Sequence, residues 1–319
     1  MTTNSDAAPE LSDIGSDVWS DWLLHRRQAD DAAYARGVQG AAERYADQVL
    51  DGAQLVAGMT LVEVGAGEGV VAFRAIDRIG SSLRVILTDI SVPMLRYAEA
   101  VAAKRNLRSQ CAFLECGGDR LTGIADASVD VVVTRASLAY VADKKSAIGE
   151  CFRILRPGGR LSICEPILQD EAFYVRVLRN RIDDSSRPPD RFLTLLHRWK
   201  VAQFPDTAEA CAQRPLTNYG ERDVLNMVRG AGFDQIHLQL HIDVVPSLIT
   251  SWDVFIGSSP HPWAPSLKQI FAEKFTPDEQ AFLERMVRPT VESGKNFTND
   301  RVMYLQAQKA RLMNRLLVL

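Results

Sequence analysis

The chain has 319 residues, 46% of them hydrophobic, and a formal net charge of −3. That size and composition suit one large globular domain, or one domain with a substantial elaboration. The acidic balance offers no basic field to hold a polyanion, which counts against nucleic acid as the main partner.

The five cysteines, Cys111, Cys116, Cys151, Cys164 and Cys211, are odd in number and include no CxxC pair. Neither a disulfide framework nor a zinc site is indicated. Cys151 and Cys164 sit in apolar surroundings and read as core thiols. The N-terminus, MTTNSDAAPELSDIGSD, is polar and acidic and lacks the apolar segment of a secretory signal. No run of about 18 apolar residues marks a transmembrane helix. The expectation is a soluble, cytoplasmic protein with no membrane partner.

Residues 1 to about 15 read as a disordered tail. From Val18 to Leu55 the pattern is helical: Trp19, Trp22 and Leu23 share a face, and Tyr34, Val38, Ala41, Ala42 and Tyr45 continue a 3.6 period. Gly37 and Gly40 weaken the middle, so two or three helices are expected. Such a segment ahead of a ligand-binding strand can lie across a pocket mouth as a lid, with Trp22 lining it. The alternative is that these aromatics only pack the helices onto the sheet. The run His25-Arg26-Arg27 reads as a solvated face.

Thr60 to Val64 is the first strand, and it runs into a glycine loop: Leu61 to Gly69 is LVEVGAGEG. A strand, a glycine loop and a following helix make the cofactor edge of a doubly wound sheet. The dinucleotide fingerprint G-x-G-x-x-G does not fit, because the third glycine falls two residues after the second. Glu63, Gly65, Gly67 and Gly69 instead match (D/E)-x-G-x-G-x-G. The stretch resembles motif I of the class I S-adenosylmethionine (SAM) methyltransferases, and the resemblance implies SAM as cofactor and these four residues at its site.

The helix from Gly69 to Ile79 stops at Gly80. The second strand, Leu83 to Thr88, ends on Asp89, at the spacing where an acidic residue meets a ribose in a βαβ unit. A carboxylate there accepts bonds from both ribose hydroxyls; the alternative is an N-cap for the helix beginning near Val92. The resemblance implies that Ile90, and Met94 beyond it, pack near the adenine. It also implies that Asp119 and Arg120, after a third strand at about Gln110 to Glu115, meet the adenine amino group and ring; the alternative for Asp119 is an acid that only serves the turn.

The fourth strand, Val129 to Thr134, leads into Thr134-Arg135-Ala136 at the switch point of the sheet, where ligands bind. Arg135 would meet the methionine carboxylate of SAM or an acidic substrate, or else pair with Asp143. Tyr140 is a pocket-lining aromatic. The (N/D)-P-P-(Y/F) run of base-amine methyltransferases is missing, which disfavours a nucleic-acid base as acceptor. Thr134 and Arg135 supply no hard-cation ligand, so a metal-independent reaction is expected.

Arg156-Pro157-Gly158-Gly159-Arg160 reads as a turn before a fifth strand, Arg160 to Cys164. The string LRPGGRLSICEP closely resembles the late motif of the ubiquinone-methyltransferase-like branch. It ends on Glu165-Pro166, and Glu165 is either a general base at the ligand edge or a structural carboxylate bonded to backbone amides. Two helical insertions follow, at about 167–215 and 246–298. The first holds His197, a second base candidate or a packed core histidine, and Trp199. Tyr219 lies just beyond it. Trp199 and Tyr219, with Trp22 and Tyr140, would line an aromatic acceptor pocket. A sixth strand, Gln235 to Val244, alternates. Thr276-Pro-Asp-Glu-Gln reads as N-cap, Pro at N1 and acidic first turn. Asp300 to Lys309 is the seventh strand, and the apolar tail 311–319 could dock.

The resemblance implies an α/β, Rossmann-like seven-stranded sheet of order 3-2-1-4-5-7-6 with strand 7 antiparallel. It would span 56–310, behind a tail and lid at 1–55. The resemblance implies methyl transfer to carbon or oxygen of a small molecule; the two large apolar insertions suggest a bulky, largely apolar acceptor of natural-product type, and Thr134 and Arg135 a metal-independent reaction. The alternatives are a SAM-binding protein that transfers no methyl, with a structural or cyclisation role, and a protein or RNA methyltransferase.

Overall fold

A computed structural model describes residues 15–186 and 188–311. The expected disordered tail, apart from Gly15, and the apolar C-terminal stretch beyond 311 lie outside the described residues.

Seven strands form one sheet in the order β3-β2-β1-β4-β5-β7-β6. They are β1 (Thr60–Val64), β2 (Arg84–Asp89), β3 (Cys111–Glu115), β4 (Val129–Arg135), β5 (Leu155–Pro166), β6 (Phe233–Pro246) and β7 (Phe297–Lys309). β1 to β5 pair in parallel, whereas β7 is antiparallel to both β5 and β6. The order is the expected one. β1 and β4 are buried along nearly their whole length, as parallel strands covered on both faces must be. Their Val-rich runs meet that demand.

Helices cover the two faces. α2 (Ala32–Ala53), α3 (Val70–Ile79) and α4 (Val92–Lys104) share one core with β1 and β2, built on Ala46, Leu50, Leu61, Phe73, Ile76 and Leu87. α5 (Lys144–Ile154) and α9 (Glu221–Gly230) cover the other face with Ile148, Ile154, Val224 and Val228. Local signals set their ends. Ser91 caps α4 by accepting the Met94 amide at 3.2 Å, Asp143 caps α5, and Gly80 ends α3 at φ 89°.

Two local expectations are corrected. The glycines at 37 and 40 do not break α2, which runs unbroken for 22 residues. Gly37 lies against Leu248, whose Cδ1 would be 3.2 Å from an added Cβ, so the glycine permits a close approach. The break comes earlier, at Ala29 and Asp30, both left-handed with φ 50° and 53°. The RPGGR turn does not precede β5 but lies inside it. Leu155 pairs with Val129 and Arg160 with Val131, so the intervening residues bulge from the ladder.

Beyond β5 come α6 (Gln169–Asp183), α7 (Arg191–Val201) and α8 (Ala208–Gln213). Beyond β6 come α10 (Trp252–Gly257), α11 (Leu267–Lys274) and α12 (Pro277–Glu292). The two groups share one core: Leu195 and Trp199 pack with Trp252, Leu267, Ile270, Phe271 and Leu283. Thr276 caps α12 with Glu279 in a reciprocal box. Ahead of the sheet, α1 (Val18–Asp21) continues as a π-helical turn over Trp22–Arg26. Among the described residues, no helix is long and apolar enough to cross a membrane.

Candidate active site

A cavity of about 280 Å³ opens at the carboxyl ends of β2, β1 and β4. These three strands are neighbours, so their ends present the glycine loop after β1 between Asp89 and Arg135. Gly65, Ala66, Gly67 and Glu68 form its floor. Gly65 has φ 66°, and a Cβ there would fall 1.8 Å from the Ser137 hydroxyl oxygen. Any other residue would push the two loops apart.

Asp89 is tied to the loop it faces. Its Oδ2 accepts the Gly67 amide at 2.8 Å, and its Oδ1 accepts the Ser91 amide at 2.9 Å. Ser91, not Asp89, caps α4. Each carboxylate oxygen keeps a second lone pair for a ligand hydroxyl. Burial raises the Asp89 pKa, opposed by the amide bonds from Ser91 and Gly67.

Arg135 lines the opposite wall. Its Nε is buried and has no hydrogen-bond partner among the described residues. The alternative pairing with Asp143 does not form, because Asp143 accepts the Ser146 amide at 2.9 Å and the Ser146 hydroxyl at 2.7 Å. An arginine left without an acceptor in a cavity wall suits an anionic ligand group.

The N-terminal segment forms the roof. Trp19, Trp22, Leu23 and Arg27 all line the cavity, with Tyr140 from the turn after β4. Tyr140 meets Trp19 edge-on at 5.1 Å, Trp22 at 6.2 Å and Trp263 of the second insertion at 5.7 Å. The basic run is engaged, contrary to the expected solvated face. His25 bonds to Asp30. Arg26 donates to the carbonyls of Pro262 and Ala264. Arg27 pairs with Glu68 of the glycine loop at 3.1 Å, each side chain only 17% exposed. Sequence reasoning placed neither Arg27 nor Glu68 at the site, and it left Trp19 open between a lid over the pocket and helix packing.

Of the residues singled out from sequence, Gly65, Gly67, Asp89, Ile90, Asp119, Arg135, Trp22 and Tyr140 line the cavity. Ile90 is 54% exposed on its rim. The others lie elsewhere. Glu63 is buried beneath the loop, where its Oε2 accepts the Ala72 amide at 2.8 Å. Gly69 starts α3 at φ 77°, Met94 is fully buried below, and Arg120 is exposed on a turn. Glu165 is fully buried and accepts the amides of Ser137, Leu138 and Ala139. It does not line the cavity and its oxygens face the chain's own amides, which fits the structural carboxylate and not the general base. His197 is engaged with Asp206 at 3.0 Å away from the cavity lining. Trp199 belongs to the insertion core and donates to Gln203. Tyr219 is buried and donates to the Pro166 carbonyl at 2.8 Å. Each of these had a signal in sequence for burial as well as for a pocket, and only the packing separates the two.

A family model described as a methyltransferase domain matches residues 55–204. The ubiquinone/menaquinone biosynthesis C-methyltransferase UbiE of Bradyrhizobium diazoefficiens is 33% identical over 193 residues, covering 60% of this chain and 72% of that protein. The chain belongs to the class I SAM-dependent methyltransferases. The nocamycin O-methyltransferase of Saccharothrix syringae is 36% identical over 110 residues, covering 34% of this methyltransferase chain and 39% of that enzyme. Several other curated relatives are likewise matched over only about two fifths of their length. The crystal structure of YcgJ from Bacillus subtilis superposes with a TM-score of 0.53 over 84% of this chain and 99% of that one. At 15% identity it shares the fold alone.

Proposed function

We propose that this methyltransferase chain binds SAM in the cavity and transfers its methyl group to carbon or oxygen of a bulky, largely apolar small molecule. The observation that carries the reading is the alignment of Asp89, the Gly65–Gly67 loop and Arg135 across three adjacent strand ends. The residues fit the cofactor. Asp89 has acceptor capacity for both ribose hydroxyls, Ile90 offers an apolar face to the adenine, and Asp119 can accept its amino group. Arg135 lacks the partner that the methionine carboxylate would supply. When bound, SAM supplies an electrophilic methyl on a positively charged sulfur.

The chain's own contribution is positioning in a dry site. Trp19, Trp22, Leu23 and Tyr140 exclude water from the roof and present an apolar wall to the acceptor. Their π-faces also suit a neighbouring positive charge. Burial pushes the Tyr140 hydroxyl well above its ordinary pKa, so it stays protonated and serves as a donor, not as a base. At the end of β4 a cation, Arg135, stands where a metal ligand would be needed, which supports metal-independent transfer.

Titration calorimetry with S-adenosylhomocysteine tests the cofactor, and a labelled-methyl assay across phenol, enol and carboxylic-acid acceptors tests the transfer. Asp89→Ala is expected to weaken binding roughly 10–100-fold, since it removes charge-assisted bonds to the ribose. Unchanged affinity would show that the ribose lies elsewhere. Cofactor binding with no labelled product from any small molecule would favour a SAM-binding role without transfer.

A further inference from the structure

Glu165, the penultimate residue of β5, has 0% exposure, and nothing in the proposed reaction uses it. Its carboxylate accepts four hydrogen bonds, all from a single stretch of chain. Oε1 accepts from the Thr134 hydroxyl at 3.1 Å and from the amides of Ser137 and Leu138, both at 3.0 Å. Oε2 accepts from the Ala139 amide at 3.1 Å. Two residues sit between the first two anchors: Arg135 and Ala136.

Ala136 has φ 50°. A non-glycine residue in the left-handed region is strained, and such strain persists where the surroundings over-determine it. Here both flanks of the strained residue are tied to one buried carboxylate. The far end of the turn is tied as well. The Lys144 ammonium donates to the Val141 carbonyl at 2.9 Å and the Pro215 carbonyl at 2.8 Å, and lies 4.6 Å from the centre of the Tyr219 ring. The near side abuts the glycine loop, with the Ser137 hydroxyl against Gly65. The turn so held carries Arg135, Ser137 and Tyr140 into the cavity.

We propose that Glu165 is a positioning residue: it holds the Arg135–Ala136 turn in its left-handed conformation and thereby aims the Arg135 guanidinium at the carboxylate of the cofactor's amino-acid tail. This rests on the reading of the cavity as a SAM site.

The test compares two ligands on the full chain. S-adenosylhomocysteine carries the amino-acid tail, and 5′-methylthioadenosine keeps the nucleoside and sulfur without it. Glu165→Gln preserves size but leaves a neutral oxygen as the acceptor, and its NH₂ must face either the Ala139 amide or the three donors of Oε1, so at least one anchoring bond becomes a donor–donor contact and the rest lose their charge assistance. The expected result is a loss of about tenfold or more in S-adenosylhomocysteine affinity, with 5′-methylthioadenosine affinity within about twofold of wild type. A general structural role would weaken both ligands alike, so equal weakening, or no change in either, overturns the proposal. Should Glu165→Gln not fold by circular dichroism, Thr134→Val removes one of the four donors at nearly constant shape. It is expected to lower S-adenosylhomocysteine affinity a few-fold and selectively. Wild-type protein that binds neither ligand would overturn the cofactor reading itself, which separates that failure from this one.

Discussion

Glu63 shows how a motif residue can support the loop of a cavity without lining it. It is 3% exposed, lies under the glycine loop and accepts the Ala72 amide at the start of α3. Burial raises its pKa to about 7, opposed by the bonds from Ala72 and Val71 and by the charge of Arg135. A carboxyl whose folded pKa lies above its unfolded value of 4.5 contributes stability at pH below 4.5. That contribution is lost as pH rises through 7. Wild type is therefore expected to lose about 3 kcal/mol from this group between pH 4.5 and 8. Glu63→Gln keeps an acceptor for Ala72 and cannot ionise. Urea denaturation at pH 5 and pH 8 should show the variant gaining on wild type at the higher pH. A constant difference between the two would place the ionisation of Glu63 outside this range.

At the scale of the element, the decisive piece is the segment from α1 to the break at Ala29 and Asp30. It has little local reason to hold its place, with one four-residue helix and one π-turn. It is held from outside. The Trp22 indole donates to the Ser259 carbonyl at 2.9 Å, the Ser259 amide donates to the Arg26 carbonyl at 2.9 Å, and Arg26 donates to two more carbonyls of the same loop. Trp22→Phe keeps most of the ring but leaves the Ser259 carbonyl without its donor, at a cost of about 1–3 kcal/mol. Hydrogen exchange should quicken in both 18–31 and 258–264, because the two segments hold each other. Protection lost in one and kept in the other would mean that they dock independently.

Across the whole molecule, two insertions far apart in sequence build one helical body with its own core, separate from the two cores that flank the sheet. Trp199 sits in that body against Phe255, ring centres 5.7 Å apart. Trp199→Ala leaves a large void and is expected to cost about 3–5 kcal/mol. Because the sheet cores do not share this residue, S-adenosylhomocysteine affinity should stay within about threefold of wild type. Acceptor turnover should fall, since this body carries the loop with Trp263 and Ser259 that pins the roof. Calorimetry and the labelled-methyl assay on the same preparation separate the two effects. A parallel loss of cofactor affinity would show that the insertions and the sheet stand or fall together.

The sequence by itself determined what depends on near neighbours. The glycine loop needs positive φ at set positions, the caps of α4, α5 and α12 bond within three residues, and alternation or β-branched runs mark strands wherever they pack. Strand order followed from the resemblance that those local motifs carried. Only the tertiary structure decided which polar and aromatic residues face the cavity. Trp22 and its acceptor are 237 residues apart, Arg27 and Glu68 41, and Lys144 and Pro215 71. A buried carboxylate and a catalytic one look alike in a chain. Glu165 became a brace, and Arg27 part of a wall, only when distant segments closed around them and settled which groups were left without water.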